Sequence, residues 1–392
     1  MVRRTREGGG LVIPTPGDFT SRLRSPAVAA RVGVLLAISF CLCLVTGLIS
    51  HEAQSADPVF VLPTSPVWLY RLNQGLHVTS GIAAVPLLLV KLWSVFPKLF
   101  ARPPKKVKEL IVEALERGSI AALVSTSIFM LASGLANAAQ WYPWDFRFRA
   151  THYAIAWIAV GSMIIHIAIK LPIIADVLRA DIDSDTHDRE TSKPSLLTRR
   201  NLVGGAALAS AVAVVASAGS SVPWLRKVSV FGVRDGGPAG IPINKSARAA
   251  NVVASALSDD YRLQVQYLDQ SVEFSRKQLL DLPQHNYELP VACVEGWSAS
   301  GLWTGIRMSD LLDEVGAPRG HDVRIESLQA SGHYRVTTLP AHFAEDDQAL
   351  LALSLNGEPL SLDHGYPCRL MVPNRPGVLQ TKWVGRIEVV TT

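Results

Sequence analysis

Thiols are scarce in this 392-residue sequence, which holds only four cysteines: Cys41, Cys43, Cys293 and Cys368. They form no CxxC pair, no zinc-type spacing and no CxxCH site for c-type haem. A disulfide framework is therefore not expected, and each thiol must be judged by its own surroundings. Charge is scarce as well. Asp, Glu, Lys and Arg make up 18% of the residues, against about 25% in ordinary soluble domains. With 48% hydrophobic residues, that shortfall points to membrane-embedded sequence. The net charge of +5 is modest and calls for no nucleic-acid partner. The opening segment is polar and arginine-bearing, so no amino-terminal signal peptide is expected. Internal repeats are also lacking.

What the chain does contain is long apolar runs. A bilayer core of ~30 Å needs about 20 apolar residues in a helix. Five segments qualify: 28–50, 74–97, 118–139, 151–171 and 202–222. The remainder, 223–392, shows short β-like runs and turn signals. The expected architecture is an all-α transmembrane bundle followed by one α+β domain. The bundle comprises four helices over 28–171, a charged linker at 172–201 and a fifth, anchoring span at 202–222.

Lysine and arginine set the orientation. Residues 1–27 carry Arg3, Arg4, Arg6, Arg22 and Arg24, and residues 98–117 carry Lys98, Arg102, Lys105, Lys106, Lys108 and Arg117. The linker carries Arg179, Arg189, Lys193, Arg199 and Arg200, whereas the opposite loops hold only Arg71, Arg147 and Arg149. The amino terminus is therefore expected in the cytoplasm, with the carboxy-terminal domain outside. Trp68, Tyr70, Trp141, Tyr142 and Trp144 read as the outer aromatic belt. The stretch "LLTRRNLVGGAALASAVAVVASAGS" (196–220) pairs Arg199 and Arg200 with a Gly/Ala-rich run and resembles a twin-arginine export signal. Its other reading is the positive flank of an ordinary span. Cys41 and Cys43 lie mid-span among Phe40, Leu42 and Leu44 and read as packing.

Histidines inside the spans carry more chemistry, because titratable side chains in bilayer helices are rare and functional by default. His77 opens the second span, and His152 and His166 share the fourth. Fourteen residues at about 100° each return to within ~40° of one face, ~21 Å further along the helix. Two imidazoles would thus point into the bundle at two depths, as bis-histidine haem b ligation requires. Gly75, Gly81, Gly134 and Gly161 could let a macrocycle approach the backbone. Residues 28–171 here resemble the cytochrome b561-like membrane subunits that carry electrons between quinones and attached redox enzymes. That resemblance implies haem b, with His77 and His152 as the first ligand pair. His166 lacks an obvious partner, and His51, ending the first span, is the weakest candidate. One haem is expected, and two if the spans shift or tilt.

A lone extramembrane thiol at Cys293 has three readings: buried core, catalytic nucleophile or metal thiolate. The nucleophile reading wants a nearby base, and His285 comes with no protease or transferase signature. The segments "CVEGWS" and "LWTGIRMSDLLDEVG", followed by "LLALSLNGEPLSLDHGYPCRLMVPNRPGVLQTKWVGRIEV" (350–389), closely resemble the sulfite-oxidase fold. That family of molybdenum–molybdopterin oxidoreductases includes sulfite oxidases, assimilatory nitrate reductases and the periplasmic methionine sulfoxide reductase catalytic subunit. A pterin dithiolene supplies two sulfurs, so the protein adds one soft thiolate. The resemblance makes Cys293 the molybdenum ligand. It also implies that Asn244, Ser327, His364, Arg369, Gln380, Thr381 and Lys382 contact the cofactor, the last three around the pterin phosphate together with Arg369. Tyr334 is loosely similar to a tyrosine lining the reactive face. Cys368 reads as packing.

The combined expectation is a multi-pass enzyme of a bacterial cytoplasmic membrane. It would exchange electrons between quinone or quinol, haem b and an extracytoplasmic Mo-molybdopterin centre. That centre would transfer an oxygen atom to or from a small oxo-substrate, with S- or N-oxide reduction preferred and oxidation of sulfite or a similar oxyanion as the alternative. Cofactor insertion in the cytoplasm would call on twin-arginine-type export machinery. A third reading is a non-enzymatic haem protein with an outer binding domain.

Overall fold

The computed structural model describes residues 14–55, 58–101, 104, 106–186, 188, 192–193, 195–232 and 237–390. Arg3, Arg4, Arg6, Arg102, Lys105 and Arg189, counted above in the orientation argument, lie outside the described residues.

Among the described residues, five helices are long and apolar enough to cross a membrane. They are α1 (Pro26–Ala53), α2 (Leu69–Val95), α3 (Val107–Ala138), α4 (Phe148–Arg179) and α5 (Arg199–Ser217). Most run past the apolar segments that mark them in the sequence. α3 starts within "VKELIVEALERG", where the Arg117–Glu113 pair one turn apart supports a polar helical turn. α4 continues through Pro172 to Arg179, so the linker is shorter than 172–201. Apolar runs measure the part of a helix that suits lipid, not where its hydrogen bonds end.

The chain forms two compact units. One holds the described residues up to Leu44 with Val78–Ser217, and the other holds Val45–His77 with the residues from Ala218 onward. In the first, Val28, Val32 and Leu36 of α1 pack with Ala84, Leu87 and Leu88 of α2 and Ala206 of α5. Ser210 Oγ donates to Ala83 O at 2.8 Å. Arg199 is 2% exposed and donates to Ile182 O at 3.1 Å and to Ser184 O at 2.6 Å, besides its ion pair with Asp188. Arg200 instead faces outward. Cys41, expected to pack, is exposed, while Cys43 Sγ lies 3.1 Å from Ser80 Oγ. Helix positions two apart point in different directions, so only one of the pair can face the interior.

The second unit carries two five-stranded sheets. The strands are β1 (Leu263–Tyr267), β2 (Gln270–Phe274), β3 (His285–Ala292), β4 (Ser298–Arg307), β5 (Val323–Ser327), β6 (Val336–Leu339), β7 (Leu350–Leu355), β8 (Glu358–Pro359), β9 (Arg369–Met371) and β10 (Val384–Val389). One sheet is ordered β2-β1-β10-β5-β6, with β1 and β10 parallel; the other runs β3-β4-β7-β8, with β9 beside β7. Short helices α6 (Val253–Leu257), α7 (Arg276–Asp281), α8 (Met308–Asp313) and α9 (Ala341–Ala344) complete the α+β pattern. Leu263, Val265, Ile325 and Ile387 from the first sheet share one core with Ile306, Leu351 and Leu370 from the second. Alternation in β1 puts Leu263 and Val265 inward, each fully buried aliphatic side chain contributing ~1.5–3 kcal/mol. The expected domain at 223–392 is thus enlarged by residues 45–77, which hydropathy had assigned to spans and a loop. Within that added stretch Tyr70, expected in the aromatic belt, is 1% exposed and accepts from Gln54 Nε2 at 2.9 Å. Trp68 remains outward.

Candidate functional site

The site starts at the turn between β3 and β4. The Cys293 N–H donates to Trp297 O at 2.9 Å and the Gly296 N–H to Cys293 O at 3.0 Å, closing a tight loop. Gly296 sits at φ +85°, a left-handed conformation that glycine adopts without a Cβ penalty. Cys293 is 1% exposed and packs with Leu289, Val291, Trp303 and Met371. Burial pushes its thiol up to about 12, and the Glu295 carboxylate, 3.9 Å from Sγ, adds to the shift. Such a thiol is inert as a neutral-pH nucleophile. A metal that displaces its proton would turn it into a ligand.

The second part is the stretch from Ser361 to Trp383. A 3-10 turn, Leu362–His364, is followed by Gly365 at φ +114°, where a Cβ would stand 3.1 Å from Arg369 Cβ and 3.2 Å from Lys382 Cβ. Only glycine lets the backbone pass there, and the passage brings the two cations together. Lys382 Nζ donates to Asn244 Oδ1 at 3.3 Å, to Asp363 O at 2.9 Å and to Lys245 O. Burial and then the Arg369 charge push its ammonium down to about 7. Arg369, 5% exposed, gives one N–H to His364 O at 3.3 Å, but its Nε has no hydrogen-bond partner. Burial lowers its guanidinium to about 10 against the opposing pull of Cys293.

His364 is 2% exposed, with Nε2 2.9 Å from Ile241 O and Nδ1 3.1 Å from Ser361 Oγ. A carbonyl only accepts, so Nε2 carries the proton and Nδ1 accepts from the serine. Both ring nitrogens are thereby engaged within the protein, and burial lowers the imidazole pKa against the opposing pull of the Ile241 carbonyl. Ser327 Oγ donates to Lys382 O at 2.8 Å, holding that residue's backbone. Thr381 Oγ1 lies 2.9 Å from Thr337 Oγ1. The Gln380 side chain accepts from Val372 N at 2.9 Å and donates to Val372 O and Arg375 O, both at 3.1 Å, while its own N–H donates to Gly377 O at 3.3 Å. Asn244, Ser327, His364, Arg369 and Lys382 are thus tied into one cradle, and Gln380 and Thr381 brace the loop beneath it. Tyr334 Oη donates to Gln54 O at 3.5 Å, outside that set of contacts.

Sequence reasoning passed over two neighbours in the quoted "PNRPG". Arg375 is 4% exposed and donates to Thr338 O at 2.6 Å, yet its Nε and Nη1 have no partner, and burial lowers it to about 9. Asn374, in a left-handed conformation, points Nδ2 at Pro63 O and Pro66 O, 2.9 and 2.6 Å away, and accepts the Tyr70 N–H at 3.1 Å. A charged residue set between two prolines was the visible signal. Cys368 is fully buried, its Sγ 3.1 Å from Tyr261 Oη.

The residues fit a molybdopterin: one buried thiol for the metal, and buried cations with an orphaned N–H for a phosphate. Among the described residues no group of three or more His, Cys, Asp and Glu side chains could hold a metal ion by itself.

Among the histidines expected to bind haem, His77 Nδ1 lies 3.1 Å from Thr46 Oγ1, and a Cβ on Gly47 would stand 3.1 Å from its Cε1. His152 Nδ1 lies 3.2 Å from Ser133 Oγ, with the Gly134 position 3.7 Å from its Cε1. Each imidazole therefore has a glycine beside it and a hydroxyl on Nδ1, the outer-shell contact that orients ligating histidines through Nε2. His166 lies within α4 and His51 in the last turn of α1, both half-buried.

Comparison with known proteins covers part of the chain. Residues 250–392 match the family model of the oxidoreductase molybdopterin binding domain. Mitochondrial sulfite oxidase of Rattus norvegicus is 32% identical over 163 residues, 33% of this chain and 29% of that protein. YedZ1 of Azospira oryzae, whose name proposes a protein-methionine-sulfoxide reductase subunit, is 31% identical over 28% of this chain and 41% of its own. The sulfane dehydrogenase SoxCD of Paracoccus pantotrophus shares 29% identity over 35% of this chain and 40% of that one, with a TM-score of 0.32. The chain thus spans less than half the length of these relatives. The family match and the cradle built around Cys293 together make residues 250–392 a molybdopterin-binding oxidoreductase domain, one that is similar to sulfite oxidases.

Proposed function

We propose that the chain is a membrane-bound oxidoreductase that passes electrons between the quinone pool, haem b and a molybdenum centre held by Cys293. Bound molybdopterin would supply the metal that exchanges an oxygen atom with a substrate for two electrons. Cys293 would hold the metal as a thiolate in a dry pocket, while Arg369 and Lys382 would bind the phosphate. His364, Ser327 and Asn244 would keep those cations in place. His77 and His152 would ligate the haem, with His166 and His51 in reserve for a second. The catalytic domain would lie outside a bacterial cytoplasmic membrane, exported through the Arg199–Arg200 signal. The observation carrying this reading is the coincidence of one buried thiol with a buried cation whose Nε is orphaned, in a chain with five apolar helices.

Reduction of an S- or N-oxide with quinol electrons is the preferred direction, supported by the likeness to YedZ1. Oxidation of sulfite or a similar oxyanion is the second reading. Arg375 favours it, since a buried guanidinium with two unpartnered nitrogens suits an oxyanion. The test uses full-length protein in detergent. Wild type should hold about one molybdenum per chain and show a b-type haem spectrum. Cys293→Ser should lose the metal and turnover but keep the haem. Adding dimethyl sulfoxide to the reduced protein, or sulfite to the oxidised one, reads the direction from the haem band. A Cys293→Ser protein that retains its molybdenum refutes the assignment.

A further inference from the structure

A row of buried polar side chains joins the two proposed metal-binding positions inside the second unit. Gln74 Nε2 donates to Cys293 O at 3.1 Å, and Gln74 Oε1 accepts from the Ser50 hydroxyl. Ser50 Oγ in turn accepts from Asn73 Nδ2 at 2.8 Å, and the same amide donates to Thr46 O at 2.9 Å. Thr46 Oγ1 reaches His77 Nδ1 at 3.1 Å. Thr46, Ser50, Asn73 and Gln74 are 5%, 8%, 8% and 6% exposed. Thr46 and Ser50 are one turn apart on α1, as are Asn73 and His77 on α2, so each helix presents one polar stripe.

Four uncharged polar side chains buried in helices read as membrane spans are costly unless every one is hydrogen-bonded. Here they form one unbroken chain whose ends are the backbone of the proposed molybdenum ligand and the ring of a proposed haem ligand. A hydrogen-bonded, packed chain couples two sites better than van der Waals gaps or water.

We infer that Thr46, Asn73, Ser50 and Gln74 are positioning residues that form the electron-transfer contact between the haem held by His77 and the molybdenum centre held by Cys293. This rests on the function proposed above. Each passage along Thr46, Asn73, Ser50 and Gln74 would move one electron, from a ferrous haem to the molybdenum centre, and quinol would resupply it. Two passages and two protons would account for removal of one oxygen atom from an S-oxide as water. Oxidation of sulfite runs the same electrons in reverse.

The experiment uses full-length protein in detergent, with molybdenum by metal analysis and haem by its spectrum. Laser-flash photoreduction with a deazaflavin adds one electron, and relaxation of the haem band reports transfer without any substrate. Gln74→Leu and Ser50→Ala should slow that relaxation about 10-fold or more, as loss of outer-shell contacts does, at unchanged haem and molybdenum content. Ser50→Thr keeps the hydroxyl and should restore the wild-type rate. Thr46→Val should both slow transfer and raise the haem midpoint potential, because the histidine loses the partner that makes it a stronger donor. A purely structural role would leave the potential unmoved and would lower cofactor content instead. Wild-type protein carrying both cofactors, with relaxation indifferent to Gln74 and Ser50, overturns the relay alone. Wild-type protein that binds no haem overturns the relay and the proposed function together.

Discussion

Lys382 makes the cofactor cradle measurable through pH. Its ammonium, ordinarily near 10.5, is pushed down to about 7 in the folded chain by burial first and then by Arg369 and Lys245, against the pull of Asp363 and Cys293. Between pH 7 and 9 the unfolded chain therefore keeps a proton that the folded, cofactor-free chain has released. Stability rises with pH wherever the unfolded state binds more protons. At 1.36 kcal/mol per pH unit the ceiling over this window is about 2.7 kcal/mol. For a folding unit of this size that is a rise in unfolding midpoint of roughly 5–10 °C. Above pH 9 the contributions oppose one another. Burial raises the Cys293 and Cys368 thiols from 9.0 to about 12, so the folded chain there holds protons that the unfolded chain loses. Lys382, Arg375 at about 9 and Arg369 at about 10 instead carry protons that the unfolded chain keeps and the folded chain releases. The expected curve for cofactor-free protein climbs from pH 7 to 9 and flattens beyond it. A phosphate beside Lys382 would restore its proton, so the loaded protein should show a much flatter curve over the same range. The assay is a thermal-unfolding series in detergent on full-length protein from hosts with and without molybdopterin synthesis, with Lys382→Met as control. A flat cofactor-free curve, or an equal slope in loaded protein, refutes the reasoning.

Two further outcomes follow from the same geometry. Gly365→Ala forces a Cβ into left-handed backbone against Arg369 and Lys382, so it should cost about 1–3 kcal/mol and lower molybdenum retention, read by unfolding midpoint and metal analysis. If the chain holds the proposed haem, His77→Ala and His152→Ala should each abolish its Soret band, whereas His166→Ala should leave it, because the first two each pair a neighbouring glycine with a hydroxyl on Nδ1.

The helices show how far composition reaches. A bilayer selects for apolar runs, so the existence of all five could be read from hydropathy, while their ends could not. The first turns of α3 are charged and helical at once, held by pairs such as Arg117–Glu113 that carry no hydropathy signal. Tyr70 shows the opposite failure: its residue type and position suit an interfacial belt, but a glutamine sixteen residues earlier covers its hydroxyl. Arg199 combines both cases. An arginine before an apolar run reads as an export signal or a positive flank, and nothing local foretells that carbonyls at 182 and 184 and the Asp188 carboxylate bury it.

In the site, legibility followed sequence distance. Cys293, Arg369 and Lys382 stand in contiguous motifs, and the turn that unites the two cations needs only Gly365 between them. The side chains that passed unnoticed act across the chain. Gln74 meets a carbonyl 219 residues away, and Asn374 meets carbonyls more than 300 residues back. Such pairs leave no periodicity, since each half is an ordinary polar residue in its own neighbourhood. Arg375 was hidden for a different reason: exposed or buried, an arginine reads the same in one dimension. Its meaning comes from being 4% exposed with two nitrogens unmet, because an unpaired buried cation costs several kcal/mol. A fold that keeps the guanidiniums of Arg369 and Arg375 buried with nitrogens unmet is more stable with negative charge added. Burial thus argues for an anionic cofactor independently of any motif.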